Sequence, residues 1–307
     1  MFYRKSEEFG IALRILSGLL FAAMVVVVKM VSEEVPLGEI VFFRSAFALF
    51  PLVIFLHIRG EFPHGLRSNR PWGHVLSSIF GVAAMFTSFA TIARLPVAEA
   101  TLISYLSPIL TAIAGVMLLG ERITTFRVCG IAFGLAGVVV LVLPELGVQE
   151  LDMRRLIGLA LGVITAILTA LALPMTRKLA RFGESPGTIA FYFAVTSTLG
   201  GLVTLWSGNW IMPETQTLIL LILAGLFGGF AHIAMTLAFK YAEASRMAPF
   251  EYVTLIWVVL ADVLIFSLPL SPAFLLALPI ILTGVAIAAL EGKIRRANTI
   301  ENQKFEH

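Results

Sequence analysis

Apolar runs of roughly twenty residues, the length a helix needs to cross about 30 Å of hydrocarbon, follow one another along this chain with short polar breaks between them. They fall near residues 11–31, 37–56, 73–93, 97–119 and 126–143, and then near 156–176, 187–206, 217–239, 246–266 and 272–290. The runs are continuously apolar and lack the alternation of an outer-membrane strand, so they predict helices and exclude a barrel. The expected fold is an all-α membrane protein with ten transmembrane helices. The first run follows Arg4 and Lys5 without a small-residue cleavage site, and it is expected to stay as a helix rather than be removed as a signal peptide.

The second five runs echo the first. A shift of 144 residues lays Gly81, Phe86, Ala90 and Ala98-Glu99-Ala100 on Gly225, Phe230, Ala234 and Ala242-Glu243-Ala244. With three more residues Gly137-Val138 falls on Gly284-Val285, and at a shift of 148 Lys29 falls on Arg177. Five spans per copy is an odd number, so the second copy must enter the membrane from the opposite face. The prediction is two inverted five-helix repeats, 1–143 and 156–291, with a periplasmic connection at 144–155 and a cytoplasmic tail at 292–307. Inverted halves around an axis in the membrane plane place a pocket at their interface and permit two mirror-related openings.

Composition agrees and narrows the choice. The chain has 307 residues, 59% hydrophobic and 13% charged, with a mean hydropathy of +0.95; soluble domains carry about 25% charged residues. Ten spans at about 30 residues each, connections included, leave no room for an appended soluble domain. A receptor, a pump with its own ATPase domain and a tethered soluble enzyme are thereby excluded. The single Cys129 lies in an apolar run, which removes disulfides and thiolate metal sites. The net charge of +3 implies no nucleic-acid partner, because basic residues in a membrane protein report topology first.

Of the 22 Lys and Arg, a cytoplasmic N-terminus leaves only Arg94, Arg154 and Arg155 on the far side, with Lys29 and Arg44 inside spans. Glu33, Glu34, Glu145, Glu150, Asp152 and Glu214 accompany those three. The imbalance predicts that both termini are cytoplasmic.

A charge in hydrocarbon costs several kcal/mol unless it snorkels, pairs or faces water, so polar residues inside spans are the functional candidates. Arg44 lies near Glu39, Glu33 and Glu34 in sequence; it reads as a structural ion pair or as a gating or substrate-carboxylate group. Lys29 and Arg177 sit near span ends, where snorkelling is cheap, or at mirrored gates. The fourth span carries Ser104, Tyr105, Ser107, Pro108 and Thr111, and Pro108 exposes a carbonyl near Ser104. The ninth carries Pro249, Glu251, Tyr252, Thr254 and Trp257, so both repeats place a proline and a tyrosine in the same helix. Glu251 could bind a proton, a lysine or an amino group, or serve structure alone; Asp262 reads as structural. His232, among Gly225, Gly228 and Gly229, reads as a packed histidine or as a cavity-facing ligand. Thr87, Ser88 and Thr91, like Thr165 and Thr169, read as bonding their own backbone. Trp72, Trp206 and Trp210 read as interfacial anchors.

No GxxxxGK[ST] loop, HExxH, GxSxG elbow or Cys/His cluster occurs. Neither cofactor nor metal is expected, and active transport would run on an ion gradient, protons first, or on exchange.

The run Pro108-Ile-Leu-Thr-Ala, followed by Leu119-Gly120-Glu121-Arg122-Ile123-Thr124 and a fifth helix with Gly130, Gly134 and Gly137-Val138, resembles the EamA-type members of the drug/metabolite transporter superfamily. The resemblance covers nearly the whole chain, and Arg44 also matches it. The second half departs from the pattern, with Ser267-Leu268 in place of a second Gly-Glu and Ala277 in place of Gly130. Glu121 therefore reads as capping its connection with Arg122 or Arg127. In length and pattern the chain is similar to the YddG-type aromatic amino-acid exporters of the bacterial inner membrane. That resemblance implies amino-acid export through a cavity lined by the first, third, fourth, sixth, eighth and ninth spans, where Tyr105, Tyr252 and Trp257 would suit stacking.

The expectation is a secondary transporter, not an enzyme, that exports small metabolites and in particular aromatic or other neutral amino acids. Its partners are a small-molecule substrate and the lipid bilayer. Ser104, Tyr105, His232, Glu251, Tyr252 and Trp257 are expected to touch substrate; Arg44, Pro108 and Pro249 are expected to gate or to bend helices. Export of drugs, nucleosides or other metabolites is the alternative. More remote are a helper subunit and an intramembrane enzyme for lipid-linked substrates, against which the scatter of His232, Glu251 and Asp262 speaks.

Overall fold

The structure is a computed structural model and describes residues 2–63, 66–68, 70–111, 125–146, 152–241, 253–284 and 286–287. Regular structure among these residues is entirely helical. The first five helices are α1 (Phe2–Val31), α2 (Leu37–Ile58), α3 (Pro71–Ile92), α4 (Val97–Ser104) and α5 (Thr125–Leu146). They are followed by α6 (Met153–Arg181), α7 (Pro186–Val203), α8 (Thr215–Tyr241), α9 (Val253–Leu264) and α10 (Pro272–Gly284). Six are long and apolar enough to cross a membrane, and the described parts of α4, α5, α9 and α10 are shorter apolar helices. α1 starts at Phe2, well before its apolar run, because the polar N-terminal segment continues the same helix.

Local chemistry sets the helix starts. Pro71, Pro186 and Pro272 open α3, α7 and α10, where a missing N–H costs nothing, and Pro36 and Pro96 immediately precede α2 and α4. Ser185 accepts from the Thr188 N–H at 3.1 Å, Ser271 from Phe274 at 3.0 Å and Asp152 from Arg155 at 3.2 Å, so α7, α10 and α6 are capped by their own sequence. Pro108 acts one turn upstream. It cannot donate to the Ser104 carbonyl, and α4 ends at Ser104, capped by Tyr105, whose N–H reaches the Leu102 carbonyl at 3.1 Å before helix resumes over 106–111.

The helices pack in pairs that map onto one another. α1 lies along α8 and α3 along α6; α2 packs against both α7 and α8, and α3 against α7. α1 also meets α9, and α4 meets α6 and α9. Exchanging each of the first five helices for the one five places later turns this set of pairs into itself. α6 starts beside the end of α1, since Arg154 reaches Glu33 at 2.9 Å and the Ala93 carbonyl at 3.0 Å.

Outward surfaces are apolar. Phe50 is 65% exposed, Leu199 55% and Leu276 64%, a surface suited to lipid and unfavourable in water. Trp72 and Trp206, 82% and 90% exposed, stand at helix ends where indoles sit at headgroup level. Trp210 instead folds back, donating to Thr204 Oγ1 at 2.9 Å and packing on Phe42.

Candidate functional site

A cavity of about 160 Å3 lies between α1, α3, α4, α6 and α9. Phe21, Ala22 and Val25 supply an apolar wall, and Ser88, Thr91, Thr101, Ser104, Thr165 and Thr254 supply hydroxyls. Four of the six hydroxyls already donate to backbone: Thr91 to Thr87, Thr101 to Val97 and Thr165 to Leu161, each at 2.8 Å, and Ser104 to Thr101 at 2.6 Å. Their oxygens keep acceptor capacity, so the wall is best suited to hydrogen-bond donors beside apolar bulk. Thr165 also bridges to Thr87 at 2.8 Å, tying α6 to α3. The reading of these threonines as backbone-bonded describes their hydrogen bonds, yet Thr91 and Thr165 line the cavity as well.

The candidates from sequence separate into two groups. Ser104 lines the cavity. Its neighbour Tyr105 is 8% exposed within the core cluster, and Trp257, between the lining residues Thr254 and Val258, packs against that same core with its Nε1 buried and unbonded. Pro108 is exposed. Pro249, Glu251 and Tyr252 lie outside the described residues. His232 meets the cavity-lining Phe21 edge-on, ring centroids 5.0 Å apart, but no residue of α8 forms the cavity wall. The resemblance placed the eighth span in that wall; Gly225, Gly228 and Gly229 instead draw α8 tightly against α2 and α1.

Of the two readings of Arg44, the structural ion pair is not formed among the described residues. Its side chain is 5% exposed, Nε lies 3.4 Å from the Met24 sulfur and Nη1 3.5 Å from the Met85 sulfur, and no carboxylate among the described residues reaches it. Each nearby acid is held elsewhere. Glu39 accepts from the Ile211 N–H at 3.2 Å, Glu34 from Thr217 at 3.2 Å and Glu33 from Arg154 at 2.9 Å. Helix direction explains the failure: five residues is more than one turn, and Glu39 sits at the helix end, facing the connection after α7.

Both ends of the bundle carry polar clamps. At the end where α3 passes to α4, the Lys29 ammonium donates to the Ile92 carbonyl at 2.8 Å and the Leu95 carbonyl at 3.1 Å, so it is held by backbone and does not snorkel. Asp262 caps α4, accepting from the N–H of Val97 at 3.0 Å and of Ala98 at 2.6 Å. Buried Glu99 receives Arg155 at 3.0 Å and Ser271 at 3.0 Å. The opposite end joins the α2–α3 and α6–α7 connections. Glu184 there receives Ser68 at 2.7 Å and lies 3.2 Å from His74 Nε2, and Glu61 receives Ser185 at 3.1 Å. The side chain of Arg177, the sequence counterpart of Lys29, lies outside the described residues.

Among the described residues, six helices long and apolar enough to cross a membrane, shorter apolar ones beside them and a cavity shared by helices from both halves of the chain suit a membrane carrier, and the comparisons agree. The profile of the EamA-like transporter family matches residues 8–143 and again residues 156–290. The chain belongs to the EamA-like transporter family. It is similar to the S-adenosylmethionine uptake transporter of Rickettsia prowazekii, 30% identical over 75% of this chain and 74% of the relative. It is also similar to the pseudopaline exporter CntI of Pseudomonas aeruginosa, 26% identical over 81% of this chain and 84% of the relative. A solved crystal structure with TM-score 0.64 and 22% identity, covering 91% of this chain and 96% of its own, shares the fold. This EamA-like protein is thus a multi-pass membrane protein and a small-molecule transporter.

Proposed function

We propose that this transporter exports small metabolites, neutral and aromatic amino acids foremost, across the bacterial inner membrane by alternating access. The proposed frame is ten spans in two inverted repeats, 1–143 and 156–291, with both termini and the 292–307 tail cytoplasmic and the 144–155 connection periplasmic. The carrying observation is that α1, α3 and α4 of the first half and α6 and α9 of the second share one cavity. The double match of the family profile and the self-mapping helix pairs support the same frame. In this frame the Lys29, Asp262 and Glu99 clamp closes the periplasmic end.

A cavity of about 160 Å3 is well below the roughly 300 Å3 at which drug-sized pockets begin, which favours a small substrate. Ser104 is proposed to contact it directly, with Tyr105 and Trp257 as apolar and aromatic walls next to lining positions. Glu251 and Tyr252 stay proposed contacts on sequence grounds. Pro108 and Pro249 are proposed bending points. One relative is named for uptake and another for export; gradients and the relative affinities of the two states set net flux. Those same names make other metabolites the second reading.

The test is counterflow in liposomes holding the purified protein alone, with labelled amino acids and an imposed pH gradient. Saturable exchange of neutral or aromatic amino acids is expected, and its response to the gradient reports proton coupling. Folded protein that moves none of them ends the amino-acid reading.

A further inference from the structure

Arg44 is the feature that the transport frame leaves unexplained. It is a guanidinium buried to 5% exposure, with five N–H donors and only two thioether sulfurs as partners among the described residues. Thioethers are weak acceptors, and a structural arginine at this depth would be paired with a carboxylate. The fold makes room for the cation without satisfying it: a Cβ on Gly228 would stand 3.1 Å from Nη2, so glycine at this position lets α8 close over the group. The acids nearest in sequence are all turned away, towards Ile211, Thr217 and Arg154.

The two sulfurs also belong to the cavity's own helices. Met24 lies between the wall residues Ala22 and Val25 on α1, and Met85 lies one turn before the wall residue Ser88 on α3. Both methionines belong to a buried cluster against which the wall residues Phe21 and Val25 pack, and methionine is unbranched and readily changes rotamer. His232 packs edge-on against the cavity-lining Phe21, ring centroids 5.0 Å apart.

We infer that Arg44 is an anion subsite behind the cavity: the transported molecule carries an anionic oxygen group, carboxylate or phosphate, that displaces Met24 and Met85 and binds the guanidinium. The inference rests on the transporter reading and specifies its substrate class. The main cavity then holds the donor-bearing and apolar part of the molecule. The anion supplies the bidentate partner that the resting protein lacks.

The test compares matched pairs on purified full-length protein: phenylalanine with phenylalaninamide, leucine with leucinamide, benzoate with benzamide, and phenyl phosphate with phenol. Affinity is read from ligand-induced melting shifts. The expected result is that the anion-bearing member of a bound pair outcompetes its partner lacking the anion by at least about tenfold, that Arg44→Gln removes the preference without removing binding of that partner, and that Arg44→Lys keeps part of it. Preference for phenyl phosphate over benzoate identifies phosphate as the group; the reverse identifies carboxylate. The inference is overturned if the partners lacking the anion bind as well as the acids, if the preference survives in folded Arg44→Gln, or if no acid binds at all. Should Arg44→Gln fail to fold, folded Arg44→Lys decides: a preference reduced from wild type supports the subsite and an unchanged one overturns it. Arg44-dependent binding of benzoate or phenyl phosphate without any binding of amino acids sinks the amino-acid reading and keeps the subsite. Amino-acid transport with no preference for acid over amide does the opposite.

Discussion

The Asp262 carboxylate accepts a hydrogen bond of 2.6 Å from the Ala98 N–H, so a side chain of the second half caps a helix of the first. Its other oxygen takes the Val97 N–H at 3.0 Å. The N-terminal N–H groups of α4 have no partner within their own helix, and a carboxylate at that end is also favoured by the helix dipole. Asp262→Ala should therefore destabilise the protein by about 1–2 kcal/mol, and Asp262→Asn, which keeps one acceptor, by less. Thermal unfolding in detergent measures both; equal stability of all three proteins would show that the cap does not hold the halves together.

Lys29 does the complementary task at the other side of the same connection, binding the carbonyl of Ile92 at the end of α3 and that of Leu95 in the connection. Charged hydrogen bonds of this kind contribute about 1.5–3 kcal/mol each when buried. Lys29→Met should raise amide exchange across residues 92–97 while leaving the α6–α7 connection unchanged. Unaltered exchange at 92–97 would mean that water replaces the ammonium freely.

Where α7 crosses α2, backbone meets backbone. A Cβ on Gly201 would lie 2.6 Å from the Phe42 nitrogen and 2.7 Å from its Cα, and neither can swing aside as a side-chain tip would. Gly201→Ala should cost about 1–3 kcal/mol by overpacking. Gly60→Ala is a suitable comparison, because its site is open and only its φ of +69° resists substitution, at about 1 kcal/mol. If the two variants melt alike, the α2–α7 contact is looser than the structure shows.

Much of this architecture was legible in the sequence because it depends on local rules. Runs of apolar residues and the prolines at 36, 71, 96, 186 and 272 mark the helices and their starts, and Pro108 marks the break at Tyr105. The site was less legible because it depends on which way each helix face turns. Ser104 was found through Pro108, but Phe21, Thr101 and Val258 looked like any other residue of an apolar run. The i, i+3 pairs Ser88–Thr91 and Thr101–Ser104 were the available signal, and backbone-bonded hydroxyls obscured it. Arg44 shows the limit most clearly. Its sequence neighbourhood contains three glutamates, yet each is bonded across a helix connection that spacing along the chain does not reveal.

Cavity size gives a direct handle on selectivity. Ala100 lines a cavity of about 160 Å3, and Ala100→Leu adds three carbons to its wall. Transport of larger substrates should fall first and by about tenfold or more, while small ones persist. Size-independent loss in folded protein would place the substrate path elsewhere.

The central claim is that one cavity opens to one side at a time. Replacing the exposed native Cys129 by serine and introducing Ser104→Cys places a single thiol in the cavity wall. Its labelling by an impermeant maleimide is then compared in right-side-out and inverted vesicles, with and without Asp262→Ala. Alternating access predicts that the thiol reacts mainly from the cytoplasmic side, and that loss of the Asp262 cap raises periplasmic labelling at the expense of cytoplasmic labelling. A thiol that reacts from neither side in folded protein, or whose reactivity rises from both sides together, would contradict the account.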